Sequence, residues 1–203
     1  MPHFGPRKQP RQARSSDTVE VILESAARIL ETEGLERVTT NRVAEKAGVS
    51  VGSLYQYFPN KQSILAELVR REQRVLLADV TALCSDVDGH GIEEFARRLV
   101  KIGMKHQFGR LRLASELEHV EAVLPLQKGA LDLTNQIIIR IGKAFKQISP
   151  YADERTARDI VAICQGMADM ASTAGETDLQ SIEGRILKAV FGYLDTEAVR
   201  ADT

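Results

Sequence analysis

Residues 40–61 of this chain, TNRVAEKAGVSVGSLYQYFPNK, constrain its fold more than any other segment. Thr39 or Thr40 can begin a helix there, because a threonine side chain accepts a hydrogen bond from a free N–H group of the first turn. Gly48 ends that helix, since glycine tolerates the left-handed conformation common at helix C-termini. Ser50 has the side chain to cap a second helix. The segment therefore predicts two short helices joined by a tight glycine turn.

The second helix is predicted to have two different faces. At about 100° per residue, Leu54 and Phe58 share one side and can anchor the helix. Gly52, Ser53 and Gln56 point the opposite way. In a helix-turn-helix the second helix enters the DNA major groove, where small residues allow close approach and glutamine can make a bidentate contact to adenine. The segment therefore indicates DNA binding.

Three residues near this face are suited to phosphate. Tyr55 and Tyr57 carry hydroxyls that can contact phosphate oxygens. Lys61 is predicted to lie in the first turn of the next helix, where its ammonium and the helix N–H groups can hold one phosphate. A helical hairpin that binds nothing is the alternative, but the order and spacing of the whole segment favour DNA binding.

The segment GVSVGSLYQYFPNK, preceded by TTNRVAEKA and by a helix ending in LETEG, resembles the DNA-binding domain of the tetracycline-repressor (TetR) family of bacterial regulators. The resemblance covers about residues 18 to 65. It implies an all-α protein of about nine helices, with an N-terminal three-helix helix-turn-helix domain and a C-terminal helical domain that binds a small molecule and dimerises. The implied base contacts are Asn41, Val51, Gly52, Ser53 and Gln56. The implied phosphate contacts are Thr40, Ser50, Tyr55, Tyr57 and Lys61.

Val51 departs from the family pattern, because many members carry lysine or another polar residue at this position. A valine side chain has no hydrogen-bonding group. The contact at this position is therefore either lost or apolar, for example to a thymine methyl group.

Length and composition agree with an all-α protein. The chain has 203 residues, enough for one to two domains with a buried core. It has 43% hydrophobic but only 5% aromatic residues and no tryptophan, which is more typical of helices than of a sandwich or barrel. No run approaches the roughly 18 apolar residues of a membrane span, and the N-terminus lacks the apolar segment of a secretory signal. We therefore expect a cytoplasmic protein with no membrane partner.

No catalytic or metal-binding motif is visible in the sequence. Cys84 and Cys164 lie in different predicted helices without metal-ligand spacing, which favours buried thiols. Glu116 and His119 are three residues apart, but two ligands on one helix make a weak metal site. We therefore expect no enzyme activity, no metal and no cofactor. A small all-α enzyme is an alternative that would need a nucleophile–base pair the sequence does not show.

Charge is unevenly distributed along the chain. The net charge is −1, but residues 1–75 contain 12 Lys and Arg against 9 Asp and Glu, whereas the remainder contains 15 against 19. Residues 1–15 form a Pro-rich arm without an acidic residue. Its basic residues are Arg7, Lys8, Arg11 and Arg14. The arm is predicted to be disordered, and it can also follow the DNA backbone or enter a minor groove.

The sequence predicts three segments: the arm at 1–15, a helix-turn-helix domain at 16–62, and a helical ligand-binding and dimerisation domain at 63–203. Asp17 and Glu20 have capping-box spacing at the start of a helix that runs to Gly34. One long helix is predicted after Lys61, since more than twenty residues there lack Gly and Pro. Further helices are predicted at 91–107, 109–122, 124–148, 151–174 and 178–195.

The C-terminal domain contains candidates for two sites. The candidate effector residues are Phe95, Leu99, Met104, Phe108, Leu117 and Ile138. The candidate dimer-interface residues are Ile160, Val161, Cys164, Met167, Ala168, Ala171, Ile186 and Val190. Both sets can also be the domain's own core, because spacing alone does not separate these cases. A palindromic operator favours the dimer, since two recognition helices must lie about 34–36 Å apart or further.

The sequence therefore predicts a ligand-responsive transcriptional regulator, most simply a repressor. It is expected to bind a palindromic operator in double-stranded DNA as a homodimer, and a small apolar effector is expected to release it. The alternative is a constitutive DNA-binding protein with an architectural or division-control role, whose C-terminal domain only dimerises or recruits protein. Absence of a ligand-sized cavity would favour that alternative.

Overall fold

The computed structural model describes residues 13–87, 89, 91–123 and 127–201. Within these ranges the chain forms nine α-helices and a short 3-10 helix, Leu35–Arg37, and no strand. The α-helices are α1 (Ala13–Glu33), α2 (Thr40–Ala47), α3 (Val51–Tyr57), α4 (Lys61–Cys84), α5 (Ile92–Phe108), α6 (Leu111–Val123), α7 (Gln127–Ile148), α8 (Glu154–Thr173) and α9 (Leu179–Ala201). This confirms the predicted all-α class and the number of helices.

The chain divides into two compact units. The first unit contains the described residues up to Glu72 together with those of Arg112–Ala130. The second unit contains the described residues of Gln73–Leu111 and those from Leu131 onward. The predicted domain boundary at residue 62 differs from this division, because α4 belongs to the first unit as far as Glu72 and most of α6 joins it.

The core of the first unit explains why α6 belongs there. Leu54 and Phe58 are completely buried in this core. Leu113, Leu117 and Val120 of α6 are buried in the same cluster. The placement of Leu117 corrects its prediction as an effector contact in the C-terminal domain, since its side chain packs in the first unit. Its apolar spacing identified a buried side of a helix but not the core that this side enters.

The helix α1 begins earlier than predicted. It starts at Ala13, so Asp17 lies inside the helix and does not cap it. The predicted end of the arm at residue 15 therefore falls within α1. The predicted arm residues Arg7, Lys8 and Arg11 lie outside the described residues. The apolar side of α1 is buried as predicted, and α1 ends just before Gly34, which has a φ of +82°.

Arg71 connects α1 and α4 within the first unit. Its guanidinium donates to Glu20 at 2.7 Å and to Glu24 at 3.4 Å, both on α1. It also donates to Glu72 at 2.8 Å. Burial acts to lower the pKa of Arg71, but hydrogen bonds and the charges of Glu72 and Glu20 outweigh burial and raise it. These ion pairs therefore fix α1 against α4.

The core of the second unit is built from the long helices. Phe95 of α5 and Phe145 of α7 are completely buried, and their rings meet edge to face with centroids 5.2 Å apart. Gly142 of α7 allows the start of α8 to approach closely, because a Cβ at this position would lie 2.6 Å from the Cα of Glu154. The packing of this unit therefore depends on contacts between residues far apart in sequence.

A capping box that the sequence analysis did not identify begins α8. The Asp153 carboxylate accepts hydrogen bonds from the backbone N–H groups of Arg155 at 2.8 Å and Thr156 at 3.1 Å. The Asp153 backbone N–H donates to Thr156 Oγ1 at 3.2 Å. The hydrogen bond from the Thr156 backbone, followed by that from Arg155, holds the pKa of Asp153 below its ordinary value. The helix therefore begins at Glu154 rather than at the predicted residue 151.

Most residues predicted to line a pocket or an interface belong to the core of the second unit. Among the effector candidates, Phe95, Leu99, Met104 and Ile138 are buried there and Phe108 is partly buried against it. Among the interface candidates, five are at most 5% exposed in a single chain: Ile160, Ala168, Ala171, Ile186 and Val190. A buried residue has almost no surface to lose on association, so these five are corrected to core. The other three, Val161, Cys164 and Met167, are partly buried against this core.

Candidate nucleic-acid interface

Hydrogen bonds between residues close in sequence form the turn between α2 and α3, as predicted. The Thr39 side chain caps α2 by accepting a hydrogen bond from the backbone N–H of Arg42 at 3.2 Å. Gly48 adopts the left-handed conformation, with a φ of +66°. The backbone N–H of Val49 donates to the carbonyl of Ala44 at 3.0 Å, which closes the end of α2. The turn between the two helices therefore depends on the left-handed conformation of Gly48.

A serine cap and two buried side chains position α3. Ser50 Oγ accepts a hydrogen bond from the backbone N–H of Ser53 at 3.0 Å and lies 2.8 Å from Ser53 Oγ. Leu54 and Phe58 are 0% exposed on the inner side. The cap fixes where α3 begins, and the two apolar side chains fix its rotation about its own axis. The opposite side of α3 is thereby held outward.

The outer face of α3 is accessible at most of the positions predicted to contact bases. Gly52 and Gln56 are exposed, and Val51 is 39% exposed. Asn41, in the first turn of α2, is exposed as well. Ser53 is only half-buried and its hydroxyl contacts Ser50, so it contributes to the cap of α3. The face combines an amide side chain with a small apolar surface, which suits an adenine edge and a thymine methyl group.

The residues predicted to contact phosphates have different surroundings. Thr40 Oγ1 lies 3.2 Å from the hydroxyl of Tyr55, which connects the start of α2 to α3. Tyr57 is half-buried and packs against the core of the first unit. The Lys61 ammonium donates to the carbonyl oxygen of Leu35 at 2.7 Å, so it braces the 3-10 helix against α4. Two of its three N–H groups remain for other acceptors.

A cap at the start of α4 positions Lys61. Ser63 donates its backbone N–H to Asn60 Oδ1 at 2.8 Å. Asn60 donates its backbone N–H to Ser63 Oγ at 3.3 Å. This reciprocal cap was not identified from the sequence, although the Asn-x-x-Ser spacing was a usable signal. It sets the first turn of α4, in which Lys61 lies.

The two cysteines lie in the second unit as unreactive thiols. Desolvation by burial raises the pKa of Cys84 to about 11, with the charge of Arg140 opposing it weakly. Desolvation raises the pKa of Cys164 to about 12. Both are therefore protonated at neutral pH. Across the described residues there is no cluster of three or more potential metal-ligating side chains, and no helix there is long and apolar enough to span a membrane.

Surface cavities bordered by described residues of the second unit include a small one and a larger groove. One, of about 100 Å³, is bordered by Ile92, Tyr151 and Phe191. The other is an open groove of about 450 Å³ along α4 and α5, bordered by charged residues such as Asp79 and Arg98. None of the six predicted effector residues lines either cavity. The smaller cavity, which Glu93 and Asp195 also border, is below the roughly 300–1,000 Å³ of small-molecule pockets.

Sequence comparison agrees with this geometry. Residues 22–68 match the sequence model of a family described as bacterial regulatory proteins, tetR family. The chain is 30% identical over 159 residues to the nucleoid occlusion factor SlmA of Haemophilus ducreyi, covering 71% of this chain and 76% of that protein. The chain belongs to the TetR family. It is therefore a DNA-binding regulator and not an enzyme.

Solved structures share the fold of this TetR-family chain. A TetR-family regulator from Mesorhizobium loti superposes with a TM-score of 0.74 at 15% identity, covering 91% of this chain and 98% of that one. SmeT of Stenotrophomonas maltophilia, solved as a complex with triclosan, superposes with a TM-score of 0.66 at 19% identity, covering 87% and 91%. These neighbours establish the fold over the 87–91% of this chain that they cover.

Proposed function

We propose that this TetR-family regulator binds a palindromic operator as a homodimer and is released from it by a small apolar effector. The observation that carries the proposal is the exposed outer face of α3. Gln56 and Gly52 lie on that face, while the buried Leu54 and Phe58 fix the opposite side. A short, capped and anchored helix with a small polar outer face suits the major groove.

Two sets of residues have different roles in the proposed complex with DNA. The set proposed to contact bases is Asn41, Val51, Gly52, Ser53 and Gln56. The set proposed to contact phosphates is Thr40, Ser50, Tyr55, Tyr57 and Lys61. The first set determines which sequence is bound, whereas the second determines position on the duplex and the dependence of affinity on salt.

We place the dimer contact on the exposed side of α8. Ala162, Gly166 and Met170 are exposed and four residues apart, so they lie along one side of the helix. Met170 is 68% exposed, which is high for a large apolar side chain. Small residues beside it allow close approach of a second helix. Light scattering of the wild-type protein is expected to show a dimer. Met170→Glu is expected to shift the protein toward monomer, because it places a charge in the contact. A monomeric wild-type protein would contradict the proposal.

The effector is proposed to act on the second unit. The open groove along α4 and α5, at about 450 Å³, has the volume of a small-molecule site and supports such a role. The fold shared with SmeT, which was solved with triclosan, supports it as well. The helix α4 runs from the first unit into the second, so a bound ligand can bias the first unit through it. Full release requires the ligand to favour the DNA-free state by about 5.5 kcal/mol.

A constitutive DNA-binding role is the second candidate. The observation that favours it is the similarity to SlmA of Haemophilus ducreyi, a nucleoid occlusion factor, over 71% of this chain. In this case the second unit would recruit a protein instead of a small molecule. The same exposed face of α3 would bind DNA in both cases, so the two candidates differ only in the second unit.

Selection of binding sites from a random duplex library tests the proposal. A two-fold-symmetric consensus bound by one dimer is the expected result. Release of that operator by an apolar compound, followed by fluorescence anisotropy, would support effector-controlled repression. Failure of a broad set of apolar compounds to release it, combined with many bound sites across a genome, would favour the constitutive role. Absence of any enriched sequence would contradict both candidates.

A further inference from the structure

The 3-10 helix between α1 and α2 carries an arginine that neither proposed set of DNA contacts includes. Arg37 is exposed, and its guanidinium forms no ion pair or hydrogen bond with the residues that the structure describes. Three other arginines of the first unit differ from it. Arg28 pairs with Glu24, Arg42 with Glu33, and Arg71 with a group of glutamates. Arg37 therefore has a full charge available for a partner.

The surroundings of the 3-10 helix place Arg37 near the proposed phosphate contacts. The Lys61 ammonium donates to the carbonyl of Leu35 at 2.7 Å, two residues before Arg37. Thr39, two residues after it, caps α2. Thr40 in turn contacts the hydroxyl of Tyr55 at 3.2 Å. Arg37 thus lies between Leu35, which accepts the Lys61 hydrogen bond, and Thr40.

An acidic neighbour does not neutralise this arginine. Glu36 precedes Arg37 and is also exposed. Successive residues of a 3-10 helix are about 120° apart, so the two side chains leave the helix in different directions. Val38, the next residue, is completely buried and fixes the end of the 3-10 helix to the core. The position of Arg37 is therefore set by Lys61 on one side and by Val38 on the other.

We propose that Arg37 binds a phosphate of the DNA backbone next to the phosphate that Lys61 contacts. A guanidinium is suited to this role, because its planar N–H groups can donate two parallel hydrogen bonds to phosphate oxygens. The inference rests on the proposed placement of α3 in the major groove. It adds a contact from outside the helix-turn-helix segment and makes that contact independent of DNA sequence.

The test compares Arg37→Ala with wild type on a duplex of scrambled sequence, titrated with KCl and followed by fluorescence anisotropy. Loss of one phosphate contact is expected to lower the slope of log affinity against log salt by about one. Affinity for selected and scrambled duplexes is expected to fall by the same factor. Arg37→Lys is expected to retain most of the slope, because it keeps the charge. Melting temperatures establish that each variant is folded.

Arg28→Ala is the matched control. Arg28 is an exposed arginine of the same unit, but it lies on α1 and pairs with Glu24 at 3.1 Å. Its removal changes net charge equally and is expected to leave the slope unchanged. An unchanged slope in Arg37→Ala, or an equal decrease in Arg28→Ala, would overturn the inference while leaving the proposed function intact if wild type still selects an operator. Wild type that shows no salt-dependent binding to any duplex would overturn both.

Discussion

The two units are both helical, but they differ in how far apart in sequence the residues are whose contacts determine their structures. In the first unit the ends of α2 and α3 are set by Thr39, Gly48 and Ser50, each within a few residues of the bond it makes. In the second unit the decisive contacts join distant residues, such as Phe95 with Phe145. A site built on short-range signals can be located from sequence. A site built on long-range packing cannot be located in that way.

Removal of one buried ring from each unit gives the largest expected effects. Phe58→Ala is expected to lower the free energy of unfolding by about 3–5 kcal/mol, because the ring is completely buried beneath α3. Phe145→Ala is expected to cost a similar amount in the second unit. Only Phe58→Ala should also weaken binding to scrambled duplex DNA when both variants remain folded. Urea unfolding measures the free energy of unfolding, and fluorescence anisotropy measures the affinity for DNA. An equal loss of affinity in both variants would contradict the assignment of DNA binding to the first unit alone.

Two glycines in the second unit separate tight packing from open surface. Gly142→Ala is expected to destabilise the protein by about 1–3 kcal/mol, because the new Cβ would meet the backbone of Glu154. Gly103 lies in the middle of α5, and a Cβ added there by Gly103→Ala would have none of the surrounding atoms within 4 Å. This substitution is expected to stabilise the helix by up to about 1 kcal/mol. Thermal unfolding compares the two variants. A stabilising Gly142→Ala would show that α7 and α8 are not closely packed.

The two helix caps are expected to respond differently to pH. Asp153→Ala and Ser50→Ala each remove a cap and are expected to cost about 0.5–2 kcal/mol near neutral pH. The pKa of Asp153 is lower in the folded chain, so its contribution is complete above the pKa of an unfolded aspartate and is lost as pH falls through the folded value. The cost of Asp153→Ala should therefore shrink below about pH 4. The cost of Ser50→Ala should not change, and unfolding curves at neutral and acidic pH test this.

Removal of the Lys61 ammonium has the smallest expected effect, because it takes away one proposed phosphate contact and one hydrogen bond. Lys61→Ala is expected to lower the salt slope of DNA binding by about one, for specific and scrambled duplexes alike. It also removes the hydrogen bond to Leu35, so a small loss of thermal stability should accompany it. Anisotropy across salt concentrations and a melting curve measure both effects. A loss confined to one base position would assign Lys61 to base recognition instead.

The helix-turn-helix could be predicted almost completely from the sequence. The caps at Thr39 and Ser50, the left-handed Gly48 and the buried Leu54 and Phe58 are all found as expected. The caps and Gly48 follow from local backbone requirements that few residue types satisfy, and the burial of Leu54 and Phe58 follows from their helical spacing. The sequence analysis missed the cap formed by Asn60 and Ser63. It also missed the bond between Lys61 and Leu35, since this bond joins residues far apart in the chain.

The second unit was predicted only in outline. Its helices were predicted to within about three residues of their observed ends, except that α9 runs to Ala201 and not to the predicted residue 195. Leu117 proved to pack in the first unit and Ile160 in the second unit's own core. Apolar spacing shows that one side of a helix is buried. It does not show whether a core, a ligand or a second chain covers that side, because each offers the same apolar surroundings.

The most direct measurement of the central claim is the affinity of wild type and Gln56→Ala for a selected operator and for variants with each base pair changed in turn. If the outer face of α3 contacts bases, Gln56→Ala should lose its preference at one symmetry-related pair of positions, by about 1–3 kcal/mol, with an unchanged salt slope. An unchanged preference at every position, or a uniform loss with a smaller slope, would contradict the assignment of this face to base recognition.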